Sequence, residues 1–299
     1  MNTVLVFDIE TVPDVSGLRK LGFGKAEVAT GVTAGAKVDT DAGAGAGGVA
    51  DRDADADADA DDAAHATPLD DDAVAELAFA ARRAKTGSDF LQHHLQRIVA
   101  ISCLFRDKDG VRVRSLGEPG DPEEVLIRDF FKVIEKYAPQ LVSWNGGGFD
   151  LPVLHYRALI HGISAPRYWD MGQGDREFKW NNYISRYHFR HTDLMDVLAL
   201  YQARANAPLD ALAKLCGFPG KMGMDGAQVW PAFQQGKISD IRNYCETDVV
   251  NTYLMYCRFQ LMRGELPTLE YQDEIHLVKE TLSKKPEPHW VEYLAGFTD

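Results

Sequence analysis

The chain has 299 residues, ordinary apolar and charged fractions for a soluble globular protein, and a formal net charge of -13. No apolar run approaches the roughly 20 residues of a bilayer span, the N-terminus lacks a signal peptide's basic and apolar regions, and the four cysteines (Cys103, Cys216, Cys245, Cys257) form no Cys-x-x-Cys pair, which disfavours a membrane protein, a disulfide framework and a cysteine zinc site. The acidic balance does not exclude nucleic acid, because twelve Asp and one Arg between residues 39 and 72 carry -11 of it and leave -2 for the rest.

Residues 4–11 combine β-favouring Val, Ile and Phe with two acids, Asp8 and Glu10. Strand side chains alternate, so both carboxylates point to the same face. Side by side on a buried strand they repel each other, and burying an uncompensated carboxylate is costly. A divalent cation would relieve both problems, since hard ions such as magnesium take oxygen ligands. At this point the plainer reading is that Glu10 marks a solvated strand end.

A short helix is predicted around residues 18–21. Residues 24–72 are Ala, Gly and Asp with almost no large apolar side chain, and we read them as a disordered acidic insertion. The alternating Asp of residues 51–59 lacks the Gly and closing Glu of a calcium loop. A helix over 73–85, a strand over 97–105, a turn at Asp107-Lys108-Asp109-Gly110 and a returning strand over 111–116 follow. With the first strand they make an antiparallel meander. Pro122 and the acids Glu123 and Glu124 start a helix that runs to about 137. Next come a buried strand over 140–144, the segment Asn145-Gly146-Gly147-Gly148-Phe149-Asp150, and a helix over 151–161. Residues 167–191 read as irregular. Helices are expected over 191–201, 209–216, 239–262 and 266–283, then a tail with Trp290 and Tyr293. This order is α/β with a mixed sheet flanked by helices. We expect one domain over 1–299, with the insertion within it and residues 264–299 as a C-terminal extension packing on it.

Two further acids stand out. Asp150 lies where a strand hands over to a helix, a position that an N-cap would also explain. No Gly-Lys-Ser/Thr follows the glycine run, so it is not a phosphate loop; it permits a tight turn or close approach of a ligand. Asp248 falls on the helical stripe Ile241, Cys245, Asp248, Thr252, Met255 and Phe259, and an unpaired charge there is expensive. Either a metal or an arginine would answer it. Tyr244 lies one turn earlier on the same face.

Asp8-x-Glu10, Asn145-x-x-x-Phe149-Asp150 and Tyr244-x-x-x-Asp248, in this order, resemble the three motifs of the DEDD superfamily of 3′–5′ exonucleases, and the tyrosine resembles its DEDDy branch. The surroundings are similar to the exonuclease domain of family B DNA polymerases and to stand-alone predicted exonucleases related to it. The resemblance implies an RNase H-like fold and two-metal phosphodiester hydrolysis with Mg2+ or Mn2+. It implies that Asp8 bridges both ions, that Glu10 and Asp248 complete the first site, and that Asp150 holds the second. Tyr244 would orient the attacking water; its phenol is too weak an acid to serve as a base. Asn145, Phe149 and Thr11 become candidate substrate contacts, with a core role open for Phe149.

The stretch from Arg167 to Arg190 interleaves cations with aromatics, as single-strand-binding surfaces do, although a packed hairpin with solvated arginines has the same composition. His188 and His191 are read as structural, and Asp193 as a cap or support. The expectation is a cytoplasmic, stand-alone exonuclease acting on single-stranded DNA or RNA 3′ ends, since the residues after 262 are too few for a polymerase domain. A nucleic-acid-binding module without catalysis and a structure-specific endonuclease of the same fold are the alternatives.

Overall fold

The computed structural model describes residues 3–24 and 68–298. The expected insertion therefore lies almost wholly outside the described residues. The chain divides into two compact units, residues 14–91 and residues 1–13 with 92–299.

The larger unit begins with strand β1 (Val4–Pro13). The smaller unit holds helices α1 (Val15–Lys20) and α2 (Asp71–Thr86). Asp70 caps α2 by accepting from the Ala73 N–H at 2.8 Å, two acids sit at the positive end of the helix dipole, and left-handed Gly87 ends it.

In the larger unit, β2 (Gln96–Asp107) and β3 (Gly110–Ser115) form the expected hairpin. There follow α3 (Glu123–Tyr137), β4 (Gln140–Ser143), α4 (Asp150–Ile160), β5 (His191–Asp193), α5 (Leu194–Leu198), α6 (Leu209–Leu215), α7 (Val229–Gln234), α8 (Ile238–Met262), α9 (Thr268–Ser283) and α10 (Pro288–Ala295). The sheet order is β3-β2-β1-β4-β5. The first three strands are antiparallel, and β4 and β5 run parallel to β1. This is the RNase H-like mixed sheet that the sequence implied.

Alternation along β1 sorts the core. Leu5, Phe7 and Ile9 pack with Leu126, Ile127 and Phe130 of α3 and Leu151 and Leu154 of α4. Val4 and Val6 pack on the opposite face with Val249, Val250, Tyr253 and Leu254 of α8. Asp8 and Glu10 continue this second series, so the sheet's pleat aims both toward α8. Helix α8 is buried nearly all round from Tyr244 to Cys257, which explains why its acid lies within the body of the unit.

Two expectations are corrected. The helix read over 191–201 begins only at Leu194, because His191–Asp193 is a fifth strand pairing Leu141–Ser143. Three residues without apolar alternation carry no strand periodicity. The tail is also a helix, α10, and Trp290 and Tyr293 are fully buried in the α8 cluster. Burying each such ring contributes about 1.5–3 kcal/mol. A polar tie joins the same region to the sheet: Glu274 of α9 accepts from Arg106 Nε of β2 at 3.0 Å and from the Tyr253 hydroxyl at 2.7 Å. Among the described residues, no helix is long and apolar enough to cross a membrane.

Candidate active site

Strand β4 pairs with β1 only from Val4 to Val6, so β1 runs on beyond its parallel neighbour. Crevices at the carboxyl ends of parallel strands are the usual ligand sites of such sheets. Here the cleft has a volume of about 490 Å3, and Asp8, Glu10, Asp150, Tyr244 and Asp248 all line it. Carboxylates from β1, α4 and α8 thus meet in one place.

Asp150 reaches the cleft in an unexpected way. It is the first residue of α4 rather than its cap, a position held by Phe149. Its Oδ1 accepts from the Ile9 N–H at 3.1 Å, an amide that β4 ends too early to pair. The turn before it is held from below. Asp193 accepts from the N–H groups of Asn145 at 2.9 Å and Gly147 at 2.8 Å while capping α5 through Met195. This matches the supporting role read for Asp193. Asn145 adopts φ 66°, and a side-chain carbon at Gly148 would lie 2.5 Å from Asn145 Oδ1, so the turn closes only around glycine.

On α8, Asp248 faces Lys221 rather than an arginine; Nζ lies 3.8 Å from Oδ2. Lys221 also donates to the Tyr244 hydroxyl at 2.5 Å. Sequence reasoning missed Lys221. Its mount is assembled from three places: Asp210 Oδ1 accepts its N–H at 2.7 Å, and Asn251 holds Gly220 through both that residue's N–H and C=O. Gly220 has φ 72°, and a side-chain carbon there would meet Asp210 at 2.5 Å. The one visible signal was a Gly-Lys pair between two helices.

Electrostatically the cluster is under load. Burial, then repulsion from Asp150, Glu10 and Asp248, lifts the Asp8 carboxyl well above its usual range. Burial and Asp248 lift Glu10, against the pull of Lys221. Burial pushes Asp150 up to about 7, despite its backbone donors, and Asp248 up to about 6, despite Lys221 and Tyr244. Asp248 Oδ1 is buried without a hydrogen-bond partner. A hard divalent cation fits this donor set, because it supplies the missing positive charge and takes the orphaned oxygen. Asp8, Glu10 and Cys245 offer ligand atoms within 4.8 Å of one another. The Cys245 thiol is pushed up by burial and donates to Asp8 Oδ2 at 3.5 Å, so it acts as a donor to the acid.

Of the expected substrate contacts, Asn145 and Phe149 line the cleft, and Phe149 also packs against the core. Thr11 does not line it. β2 carries an extra residue, Val99, between the partners of Glu10 and Thr11, and past this bulge the Thr11 hydroxyl donates to Gln96 at 3.0 Å. His188 Nδ1 accepts from the Asn182 N–H and His191 bonds the Ser143 hydroxyl, so both are structural.

Residues 88–297 match the family described as a predicted 3′–5′ exonuclease related to the exonuclease domain of PolB. That span carries Asp150, Tyr244 and Asp248, while Asp8 and Glu10 precede it and join them through the sheet. DNA polymerase 1 of Sulfolobus acidocaldarius is 32% identical over 114 residues, 38% of this chain and 12% of that polymerase. The family B DNA polymerase of the hyperthermophilic archaeon Pyrobaculum calidifontis aligns with a TM-score of 0.46 and 15% identity, covering 87% of this chain and 25% of that one. The chain therefore spans a minor part of the polymerases it matches.

Proposed function

The chain belongs to the family of predicted 3′–5′ exonucleases related to the exonuclease domain of PolB, and from that membership we propose that it is a divalent-metal-dependent 3′–5′ exonuclease acting on single-stranded nucleic-acid ends. The observation that carries this reading is the convergence of Asp8, Glu10, Asp150 and Asp248 on one cleft, with a buried oxygen of Asp248 left unpaired. Asp8, Glu10 and Asp248 would hold one ion, and Asp8 and Asp150 a second. A bound pair of such ions stabilises charge on the attacking and leaving oxygens of an in-line displacement.

The chain's own residues do the positioning. Tyr244 is held by Lys221 and has its phenol pushed up by burial and by Asp248, so it stays protonated and orients water by hydrogen bonding. Lys221 brings a positive charge to the same wall, suited to a non-bridging phosphate oxygen. Asn145 and Phe149 frame the terminal nucleotide. Tyr244→Phe should slow turnover about 10- to 100-fold and keep metal affinity, read by single-turnover kinetics and calorimetric titration with Mn2+. An unchanged rate removes Tyr244 from the mechanism.

Strands labelled at the 5′ end, incubated with Mg2+ or Mn2+, test the whole reading. Stepwise shortening from the 3′ end supports it. Internal cuts, or binding without cleavage, refute it.

A further inference from the structure

The turn that gives Asn145, Phe149 and Asp150 to the cleft also gives Gly147 to a second cavity of about 610 Å3, which Leu151 and Pro152 of α4 line as well. That size lies within the roughly 300–1,000 Å3 of small-ligand sites. The aromatic, cationic stretch noted in the sequence supplies much of its wall, and the structure divides that stretch in two. Tyr168, Phe178 and Tyr183 are core, with Tyr168 and Tyr183 forming the buried floor of the cavity, and Arg167 and Arg190 lie over the Phe178 ring at 5.3 and 4.4 Å. These residues are committed to packing. Trp169, Tyr187 and Phe189 line the cavity yet are 50%, 79% and 62% exposed.

The backbone behind Tyr201, a lining residue whose ring meets that of Tyr187 with centroids 6.2 Å apart, is strained. Leu200 and Tyr201 have φ of 52° and 58°, an unfavourable pair of left-handed conformations for L residues. The Tyr201 N–H donates to Asp196 C=O at 2.8 Å, and its hydroxyl donates to Arg186 C=O at 3.0 Å. The Arg186 guanidinium lies 5.1 Å over the Tyr201 ring. Backbone strain of this kind gathers at ligand sites. The chemistry of the lining selects the ligand. Ring faces favour a planar group, while Asp193 and Asp196 repel phosphate; backbone N–H groups already fill Asp193, so Asp196 is the carboxylate that accepts an N–H from the ligand. Arg186 is exposed and suited to the backbone phosphate beside such a group.

We propose that this cavity holds an unpaired nucleobase of the substrate strand, next to the terminal nucleotide at the carboxylates. The proposal rests on the single-strand reading given above. It makes the 145–150 turn a divider between two successive sites on one strand.

The test is binding of a fluorescent octanucleotide by the full chain, followed by anisotropy in EDTA so that cleavage plays no part. Trp169→Ala and Tyr187→Ala should each weaken binding about tenfold or more, the scale of a lost base-stacking contact. Trp180→Ala should stay within twofold of the parent, because Trp180 is 75% exposed in the same stretch but does not line the cavity. Circular dichroism checks that the variants fold. Parent-like binding by both cavity variants, equal loss in Trp180→Ala, or a parent that binds no octanucleotide overturns the proposal. A parent that binds through these residues but does not cleave with Mn2+ refutes the catalytic reading alone.

Discussion

Replacing Asp8 or Asp248 by alanine should lower phosphodiester cleavage at least about 10³-fold, or about 4 kcal/mol of barrier, while the fold survives. The two acids enter from opposite ends of the chain and supply half of the carboxylate oxygens of the four-acid cluster. Neither holds the structure together. Asp248 Oδ1 has no partner, and its Oδ2 lies 3.8 Å from Lys221. Asp8 is bonded by the Cys245 thiol, a weak donor. Both carboxylates are raised by burial, and Asp8 is raised further by its acidic neighbours. Removing either therefore relieves repulsion, and the thermal midpoint in EDTA should hold or rise. Asp150→Ala is the contrasting case, because it strips the Ile9 N–H of its acceptor and should cost stability as well as activity. Single-turnover rates on end-labelled strands, paired with thermal melts, check both parts. A rate within tenfold of the parent in Asp8→Ala or Asp248→Ala would remove that acid from the site.

Much of this cleft was legible because its parts obey local periodicities. The pleat of β1 puts Asp8 and Glu10 on one face, and the helical stripe of α8 turns Asp248 inward. What escaped was set by distant contacts. Asp150 has the residue type of an N-cap, but its carboxylate turns to an amide 141 residues away, freed by the end of β4. Lys221 is positioned by Asp210, Gly220 and Asn251, which no spacing rule connects. Strand β5 exists only as a pairing with β4, and α10 is fixed by the burial of Trp290 against α8. The reading of residues 167–190 left stacking surface and packed hairpin open, and the structure buries Tyr168, Phe178 and Tyr183 while it leaves Trp169, Tyr187 and Phe189 exposed.

Relative to Asp8→Asn, the metal-free parent should lose stability from pH 5 to pH 8, and Mn2+ should restore it. Asp150 carries a proton up to about pH 7 in the folded chain against 3.8 as its ordinary value, and Asp248 up to about 6. Asp8 and Glu10 shift the same way. Below about pH 4 both folded and unfolded chains are protonated, and the fold bears no repulsion. As pH rises toward 7 the unfolded chain releases these protons first, so stability falls; above 7 Asp150 and Asp248 are ionised in the folded chain and their full cost is present. Carboxyls held low by partners, such as Glu274 beside Arg106, lose their contribution only in more acidic solution, but His155 and His191, which burial pushes down to about 4, add stability as pH rises from about 5 to 7, and comparison of the parent with Asp8→Asn subtracts them. Divalent ions bind the ionised cluster, gain affinity as the protons leave, and stabilise by RT ln(1 + [L]/Kd), about 2.7 kcal/mol at a hundredfold excess over Kd. Activity should accordingly fall steeply below about pH 6. Urea titrations at both pH values, in EDTA and in Mn2+, measure all four stabilities. Asp8→Asn should flatten the metal-free slope and weaken the response to Mn2+. A metal-free slope that Asp8→Asn leaves unchanged, or a parent indifferent to Mn2+ at pH 8, would show that these four carboxylates do not form a cation site.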